Sequence, residues 1–512
     1  MTAHTEYDLA VLGGGAAAFA AVTEADRRGL SAALVNTGLP LGGTCVNVGC
    51  VPSKRLLAVG KTAAEPAATP FDAVSHETPP TVDWDAARAG KDQLVADFRR
   101  RNYVDVAERF DVAVYEGYGR LSEIGAESET DGDSVGIGVV SGPDAGATVA
   151  GRTVLVATGS SPRVPAVDGI EAVDYETSES VLDRETLPDS VVMLGGGYVG
   201  MEWSQILSRL GVRVTVLQRS GTVLSGMEPQ LGCELRRCLE AEGVSILTDA
   251  GVRRVAGAED EAGGDEAGGG DASDGVVVTA TVDGETRTVA AETLFVATGV
   301  TPNTDDVGLG AADVATDDAG AVAVDERFQT TNPDVYAAGD CVGEPMLETV
   351  AAKEGHHAVK NAFDAAPVNG GRESGGESGP ATVDYDAVPE VVFTSPEVAA
   401  VGVTEREYMA EHGTCSCRTV EMEDVPRAQA VEDTRGLVQV VKHHETDELV
   451  GVHMVGPRAA DMISEATLAV KFGLTVDDVI DTIHPFPTFS EAFKHACQAF
   501  YRDPSAMSCC VE

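Results

Sequence analysis

The feature that most constrains the fold is a glycine-rich βαβ pattern that occurs twice in the 512-residue chain. Residues 7–12 are typical of a buried strand, a G-x-G-x-x-A turn begins at Gly13, and residues 16–28 are typical of a helix. The same order recurs from residues 191–194, where Gly195 opens a G-x-G-x-x-G turn. One such match is weak, but two of them, about 180 residues apart, predict an α/β chain that binds two dinucleotides.

The small residues of both turns serve one purpose. They let the backbone approach a pyrophosphate at the N-terminus of the following helix. Each unit closes with an apolar run and a small-residue turn, residues 153–159 and 293–299, which predicts buried parallel strands packed against a cofactor. The residues expected to contact cofactors in these segments are Gly13, Gly15, Ala18 and Gly159 in the first unit, and Gly195, Gly197, Gly200 and Gly299 in the second.

The two units also organise the chain into domains. Residues 1–170 are predicted to form a first dinucleotide-binding domain, residues 171–298 a second, and residues 299–380 to return to the first. Residues 381–512 are predicted to form a separate α+β domain. The fold class is therefore α/β, with two Rossmann-like domains followed by the α+β domain. The patterns behind the last domain are strands at 390–403, 436–442 and 449–455 and helices at 459–472 and 490–501. Two acidic, Gly-rich stretches, 256–275 and 366–380, are predicted surface loops.

The charge balance limits the partners of the chain. Thirty-six Lys and Arg residues oppose 83 Asp and Glu residues, for a net charge of −47, so no basic stripe indicates nucleic-acid binding. The longest apolar N-terminal stretch, residues 9–22, is shorter than the roughly 20 residues that span a membrane and has no cationic flank. We expect a cytoplasmic protein of a salt-loving organism, whose acidic surface is screened by concentrated salt.

Ten cysteines are too few for a disulfide scaffold, which makes redox-active, metal-binding or buried thiols the expected alternatives. Cys45 and Cys50 lie in the segment GGTCVNVGCVPSK, directly after the first βαβ unit, at a spacing that can bring two sulfurs within disulfide reach. This segment resembles the redox-active disulfide of the flavoprotein pyridine nucleotide-disulfide oxidoreductases. The resemblance extends over nearly the whole chain.

The resemblance implies that the first glycine-rich unit binds FAD. Asp340, in the segment NPDVYAAGD, is then expected to bind the ribityl chain, and the backbone around Gly119 to touch adenine. Asn36 stands where the family usually has an acidic residue on the adenosine ribose, and its amide oxygen can still accept one hydrogen bond. Thr44 and Lys54, in the thiol segment, complete the expected FAD contacts.

The second unit is expected to bind NADPH. Its second strand ends in Gln218 and Arg219, which supply a guanidinium for a 2′-phosphate and no carboxylate for a free 2′-hydroxyl. The alternative is that Arg219 is only a solvated surface charge. In the family pattern, Tyr198 covers the flavin until nicotinamide displaces it, and Glu202 pairs with Lys54 near flavin N5.

The far end of the chain indicates the substrate. Disulfide reductases of this family carry a His-Pro-Thr whose histidine, paired with a glutamate, handles thiol protons. Here Phe486 replaces the residue before Pro-Thr, Glu491 is retained, and His484 lies two positions upstream. The adjacent pair Cys509 and Cys510, which Val511 and Glu512 follow, suits a soft metal ion.

These departures resemble the mercury-reducing members of the family. They imply a homodimer with an active site shared between subunits, in which Hg(II) passes from Cys509 and Cys510 to Cys45 and Cys50 and is reduced to Hg(0). Two alternatives stay open: a disulfide reductase such as a dihydrolipoamide dehydrogenase, with His484 as substitute base, and a metal-sequestering thiol protein without turnover. A further C-x-C, Cys415 and Cys417, is interpreted as an incidental surface pair and not as a metal site.

Overall fold

The chain divides into two units in a computed structural model that describes residues 5–66, 71, 74, 80–124, 134–261, 275–364 and 379–502. The first unit comprises Met1–Pro52, Ala89–Pro162 and Val300–Val383, and the second comprises Ser53–Arg88, Arg163–Gly299 and Asp384–Glu512. Among the described residues, none of the helices combines the length and the apolar character needed to cross a membrane.

The strands are β1 (Thr5–Leu12), β2 (Ala32–Asn36), β3 (Ala113–Glu116), β4 (Tyr118–Ile124), β5 (Ser134–Ser141), β6 (Thr148–Val156), β7 (Ser160–Pro162), β8 (Tyr175–Glu176), β9 (Ser190–Leu194), β10 (Arg213–Leu217), β11 (Ser245–Leu247), β12 (Gly251–Gly257), β13 (Val276–Val282), β14 (Glu285–Ala291), β15 (Thr293–Val296), β16 (Val300–Pro302), β17 (Val335–Ala337), β18 (Glu390–Val392), β19 (Glu397–Gly402), β20 (Cys417–Glu421), β21 (Leu437–Lys442) and β22 (Leu449–Gly456). The α-helices are α1 (Ala16–Arg27), α2 (Gly43–Asn47), α3 (Cys50–Ala64), α4 (Trp84–Arg99), α5 (Asp105–Arg109), α6 (Tyr198–Arg209), α7 (Pro229–Ala241), α8 (Ala258–Glu261), α9 (Glu348–Asp364), α10 (Glu405–His412), α11 (Pro426–Val431), α12 (Ala459–Lys471), α13 (Val476–Asp481) and α14 (Glu491–Gln498).

The main sheet of the first unit has the order β3-β2-β1-β6-β5-β4, with β17 paired to β6. β1 runs parallel to β2 and β6, which places Leu9 opposite both Ala32 and Thr153. The alanine-rich helix α1 packs closely on α9, since a Cβ added to Gly355 would lie 2.1 Å from the carbonyl oxygen of Ala17. Gly29, with a φ of 70°, follows the end of α1 in the left-handed conformation common at helix C-termini.

The second unit repeats the arrangement in β9, α6 and β10. Its five-stranded sheet, in the order β11-β10-β9-β15-β8, is parallel throughout. α6 packs on this sheet through Trp203, whose ring centroid lies 5.8 Å from that of Phe295. A separate antiparallel sheet, β12-β13-β14, belongs to the same unit.

The C-terminal part forms an antiparallel sheet of order β18-β19-β22-β21-β20. α12 and α14 cover it, and side chains such as Met454, Ile463 and Phe493 are at most 2% exposed. The predicted strand at 390–403 is wrong as one element: it is the two antiparallel strands β18 and β19, separated by a segment containing Pro396, which has no N–H to donate. β20 was not predicted.

The α/β fold class with a C-terminal α+β domain is confirmed. The predicted surface loop at 256–275 is partly wrong, because it begins with the end of β12 and continues as the short helix α8. Residues 262–274 of that stretch, and residues 366–378 of the other predicted loop, lie outside the described residues.

Candidate functional site

The segment with the two cysteines folds as two helices joined by a short loop. α2 carries Cys45, and Cys50 begins α3. Gly42 and Gly43 have φ values of 105° and 60°, in the region that favours glycine. A Cβ on Gly43 would lie 2.8 Å from the Cα of Gly15, so this segment packs directly against the first glycine-rich turn.

Asn47, which the sequence patterns did not single out, holds the loop between the cysteines. Its Nδ2 donates to the carbonyl oxygens of Pro40 at 2.9 Å and Gly43 at 2.8 Å. Its Oδ1 accepts from Arg99 Nη1 at 3.0 Å. These contacts fix the backbone on both sides of Cys45 and so limit how far its sulfur can move.

The Cys45 and Cys50 side chains come together as the spacing predicts. Cys45 is half-buried, Cys50 is exposed, and the two side chains are hydrogen-bonded. The pKa of Cys45 is raised above its ordinary value, first by the hydrogen bond with Cys50, then by burial and by the nearby Glu348 carboxylate. Cys45 therefore keeps its proton at neutral pH in this environment, and forming a thiolate there requires a compensating positive charge or a metal.

Glu348, the first residue of α9, is a neighbour that sequence reasoning missed. Its carboxylate hydrogen-bonds with the Cys45 side chain. Burial, followed by the charges of Glu348 and the two cysteines, raises the pKa of Tyr103 to about 12. No motif marks Glu348, because 303 positions separate it from Cys45 and only the packing of α9 in the first unit brings it close.

The first glycine-rich turn has no room for a side chain at Gly13 or Gly14. Gly13 has a φ of 131°, and a Cβ there would lie 2.1 Å from the carbonyl oxygen of Ala157. Gly15 lies directly before α1. Ala18, expected to face the pyrophosphate, is instead 0% exposed in the core, which is the helix-packing role of the third small residue in such turns.

Polar side chains of the first unit also suit FAD. Asp340 Oδ2 accepts a hydrogen bond of 2.6 Å from the Ser160 hydroxyl, and burial raises the pKa of the Asp340 carboxyl. A ribityl hydroxyl donating to this poorly solvated carboxylate would lower the cost of its charge. Asn36 Nδ2 donates to the carbonyl oxygen of Leu39 at 3.0 Å, and a Cβ on Gly14 would lie 2.5 Å from Asn36 Oδ1. The asparagine therefore lies against the turn.

The other expected FAD contacts differ in exposure. Thr44 is exposed in α2. Gly119 is buried in β4, where a Cβ would lie 2.5 Å from Leu12 Cδ1. Close packing of the sheet therefore requires a residue without a side chain at this position. Gly159, with a φ of 71°, follows β6, and its carbonyl oxygen accepts from the Asn303 N–H at 2.9 Å. The residues of the first unit therefore fit FAD through backbone approach and one desolvated carboxylate.

The second glycine-rich turn has a similar backbone conformation and leaves less space at its third small residue. Gly195 has a φ of 105°, and a Cβ there would lie 2.2 Å from the carbonyl oxygen of Ala297. Gly197 precedes α6 with open space around it. A Cβ on Gly200 would lie 2.1 Å from the Gly195 carbonyl oxygen, so only glycine fits at this third position. Gly299 follows β15 with a φ of 101°.

Gln218 and Arg219 have different surroundings at the end of β10. Gln218 is 8% exposed; its Oε1 accepts from the Gly196 N–H at 3.0 Å and its Nε2 donates to the Thr222 carbonyl at 3.1 Å. Gln218 therefore braces the turn. Arg219 is exposed, and within the described part of the chain it makes no hydrogen bond or ion pair, so its guanidinium is available to an anion.

A partly buried ion pair lies in the second unit, as the family pattern implied. Lys54 Nζ lies 2.8 Å from Glu202 Oε2, and the Glu202 side chain is only 6% exposed. Glu202 Oε1 accepts from the Phe393 N–H at 2.9 Å, and the Lys54 ammonium lies 4.8 Å from the Phe393 ring centroid. The Tyr198 hydroxyl donates to Glu390, at the start of β18. Neither Glu390 nor Phe393 was predicted, since both reach α6 only through tertiary packing.

Phe486, which replaces the family's histidine, and the nearby His484 bear on which substrate the protein can reduce. Phe486 is 50% exposed. His484 Nε2 lies 2.8 Å from Glu465 Oε1, and its Nδ1 lies 2.9 Å from the Thr482 carbonyl oxygen. Glu491 Oε2 accepts from the Thr488 N–H at 3.2 Å. Both ring nitrogens of His484 therefore face acceptors of their own domain. Cys509 and Cys510 lie outside the described residues.

Comparison with known proteins defines the class. Residues 7–355 match the family described as pyridine nucleotide-disulphide oxidoreductase, and residues 388–497 match the dimerisation domain of that family. The chain belongs to the pyridine nucleotide-disulphide oxidoreductases. It is therefore an oxidoreductase of a flavoprotein family, for which FAD and a nicotinamide dinucleotide are the implied cofactors.

Individual relatives differ in the activity that their names state. The chain is 38% identical to the mercuric reductase of Streptomyces lividans, with 100% of both chains covered. It is 32% identical to the dihydrolipoyl dehydrogenase of Bacillus subtilis (strain 168), covering 97% of this chain and 98% of the relative. The HOCl-induced flavoprotein disulfide reductase RclA of Escherichia coli shares the fold, with a TM-score of 0.79 and 23% identity over 97% of this chain and 99% of that one.

Proposed function

We propose that this protein is an NADPH-dependent mercuric reductase that converts Hg(II) to Hg(0) with FAD and two cysteine pairs. The observation that carries the proposal is the substitution of Phe486 for the proton-handling histidine, together with the engagement of both nitrogens of His484. Reduction of a disulfide needs a proton for the leaving thiolate. Two-electron reduction of a Hg(II) dithiolate releases Hg(0) and two thiolates without one. The full-length identity to a mercuric reductase supports the same substrate.

In this proposal the cofactors are held by the two glycine-rich units. FAD, when bound, takes a hydride from the nicotinamide and supplies two electrons to the substrate. Gly13 and Gly15 allow backbone approach to its pyrophosphate, and Asp340 accepts from a hydroxyl. Gly119, Gly159, Asn36 and Thr44 are proposed to complete this contact surface. The proposal also includes domain boundaries near residues 170, 298 and 380, which separate the FAD-binding, NADPH-binding and C-terminal domains.

The second unit is proposed to select NADPH and to prepare the electron transfer. The exposed guanidinium of Arg219 would pair with a 2′-phosphate, while Gln218 keeps the turn in shape. Lys54, held by the buried Glu202, would place a positive charge near flavin N5. Tyr198 would shield the flavin until the nicotinamide enters.

The substrate route uses thiolate exchange. Cys509 and Cys510 of one subunit would capture Hg(II), and Cys45 and Cys50 of the other would receive it. In each exchange one Hg–S bond breaks as another forms, and the proton of an entering thiol passes to the departing thiolate, so charge and ligand number are conserved. The match to the family's dimerisation domain supports the homodimer that this route requires. A cytoplasmic, salt-rich setting is part of the proposal, supported by the net charge of −47.

The test compares substrates directly. NADPH oxidation is followed with Hg(II) plus excess thiol, with lipoamide and with glutathione disulfide. We expect turnover with Hg(II) and release of volatile Hg(0). Turnover only with a disulfide would overturn the proposal in favour of a disulfide reductase. Hg(II) binding without NADPH consumption would instead identify a sequestering protein.

The variant C509A/C510A tests the route within that assay. We expect it to slow the use of tightly thiol-bound Hg(II) by about tenfold or more, because tethered thiolates raise the local ligand concentration. Flavin reduction by NADPH should be unchanged. Cys233, an exposed cysteine of α7, provides the matched control C233A, which should behave as the parent enzyme. Equal loss of both steps in C509A/C510A would show that the tail is structural.

A further inference from the structure

Cys415 and Cys417 are not an isolated pair in the folded chain. Their sulfurs lie 3.3 Å apart, and Cys415 Sγ lies 2.9 Å from Glu405 Oε1. The ligand atoms of Glu405, Cys415 and Cys417 all lie within 4.8 Å of one another. Within the described ranges this is the one group of three or more His, Cys, Asp or Glu side chains that meets this distance. We call it the Glu-Cys-Cys cluster.

Local structure places the three side chains together. Thr404 caps α10 through a hydrogen bond from the Glu407 N–H at 3.2 Å, so Glu405 occupies the first turn of the helix. Gly413, with a φ of 69°, ends α10 and turns the chain back. Cys417 then begins β20 opposite Val441 of β21. Helix cap, turn and strand register are therefore all specified by neighbours of the cluster.

A buried amide next to the cluster holds the Glu405 carboxylate in place. Gln439, on β21, is 0% exposed, and its Nε2 donates to Glu405 Oε2 at 3.1 Å. Its amide oxygen is buried and has no hydrogen-bond partner among the described residues. Exchanging the amide N and O would place an oxygen against the carboxylate, so the orientation is determined. A buried acceptor left without a donor is costly, and this one is part of the group that holds Glu405.

We propose that Glu405, Cys415 and Cys417 form a second metal site, which binds a thiophilic divalent cation of the Zn(II) and Cd(II) class. Two thiolates and one carboxylate form a three-ligand set for such an ion, with a fourth position left to water. Each thiol loses its proton to solvent when the metal binds. Gln439 acts on the metal through Glu405, as a positioning residue that orients the carboxylate.

The geometry requires little change on binding. Tetrahedral Zn(II) with thiolate bonds of about 2.3 Å separates two sulfurs by about 3.8 Å. The sulfurs of Cys415 and Cys417 lie 3.3 Å apart in the structure. A small rotation of the exposed Cys415 side chain is enough to bring them to the separation that the metal requires. None of the three ligands takes part in the proposed mercury route, so this inference does not rest on it.

The test is metal content and affinity of the full-length, FAD-loaded protein under a non-chelating phosphine reductant. Bound Zn(II) is counted after dialysis, and Cd(II) binding is followed by its thiolate charge-transfer absorption. We expect C415S/C417S to lose one equivalent per chain and E405Q to bind at least about tenfold more weakly. The control C233S, which alters another exposed cysteine, should keep the parent stoichiometry. Other cysteines contribute equally in all variants.

Two further measurements separate a metal site from a structural pair. FAD content and NADPH-dependent activity should be unchanged in C415S/C417S, which shows that the variant is folded. Q439L should weaken Cd(II) binding while leaving its stoichiometry intact. Equal stoichiometry in C415S/C417S and the parent protein, or unchanged affinity in E405Q, would overturn the proposal. Formation of a Cys415–Cys417 disulfide that no added metal protects against would also overturn it.

Discussion

The two glycine-rich units share a backbone and differ in the side chains placed around it. Gly13 and Gly195 approach the carbonyl oxygens of Ala157 and Ala297 almost identically, since added Cβ atoms would lie at 2.1 and 2.2 Å. The third position differs: Ala18 fits in the first unit, while the second accepts only Gly200. The common part is thus the turn that a pyrophosphate requires.

The functional difference between the units lies in their polar side chains. In the first unit Asn36 folds against its own turn, and the desolvated Asp340 is available to a hydroxyl. In the second, Gln218 braces the turn and Arg219 extends into solvent. Under the proposed function, the first unit would therefore offer FAD a desolvated carboxylate, and the second would offer NADPH an exposed guanidinium.

The largest effects are expected from alanine at the equivalent glycines Gly13 and Gly195. Each substitution should impair cofactor binding in its own unit only. G13A forces a Cβ into a carbonyl oxygen at positive φ, which we expect to cost on the order of 2 kcal/mol or more in FAD affinity. Absorbance of the purified variant should show little bound flavin. G195A should keep its flavin but lose its reduction by NADPH, measured by stopped-flow bleaching.

G29A and G211A are the matched controls for strain alone. Gly29 and Gly211 have φ values of 70° and 94° with open space around them. They should lower the melting temperature while keeping FAD and NADPH reduction. Loss of flavin in G195A as readily as in G13A would show that the two units do not act independently.

A smaller effect is expected from R219A, which tests whether the second unit distinguishes NADPH from NADH. R219A should raise the KM for NADPH by about tenfold, since a charge-assisted contact to a phosphate is worth roughly 1.5–3 kcal/mol. The KM for NADH should change by less than about twofold, because no phosphate contact is lost. Arg213, exposed at the other end of β10, gives the control R213A. Equal changes for both nucleotides would mean that Arg219 only supports the strand end.

The smallest effect concerns the Asp340 carboxylate of the first unit. Burial raises the pKa of Asp340 above its ordinary value. A raised carboxyl pKa means that ionisation at neutral pH costs stability, and that this cost disappears as the pH falls below the ordinary value of about 3.9. FAD-free D340N should therefore be more stable than the FAD-free parent at pH 7, with the difference vanishing at about pH 3.

Thermal unfolding at both pH values measures the difference, and FAD titration supplies the second readout. D340N should bind FAD more weakly, because the amide is a poorer acceptor for a hydroxyl. S160A tests the other side of the contact: it removes a donor to Asp340 and should lower FAD-free stability at pH 7. A D340N protein that is less stable than the parent at pH 7 would show that the carboxylate is already well paired.

Part of the site could be predicted because it is local: the proximity of Cys45 and Cys50 follows from their spacing. The pairing of Lys54 with Glu202, 148 positions apart, could be predicted only from the family pattern. Side chains that arrive from distant segments had no local signal. Glu348 reaches Cys45, and Phe393 reaches Glu202, only after the helices and strands have packed.

By itself, the sequence determined the two dinucleotide turns, because glycine is the residue that tolerates positive φ and contact with a carbonyl, and such positions stand out in any apolar run. It also determined the alternation of strands and helices, since that depends on local periodicity. The tertiary structure decided which polar groups are satisfied. Ala18 is a packing residue, Gln218 braces its turn and Glu348 is a partner of Cys45, because burial and hydrogen bonding depend on neighbours that the order of residues does not specify.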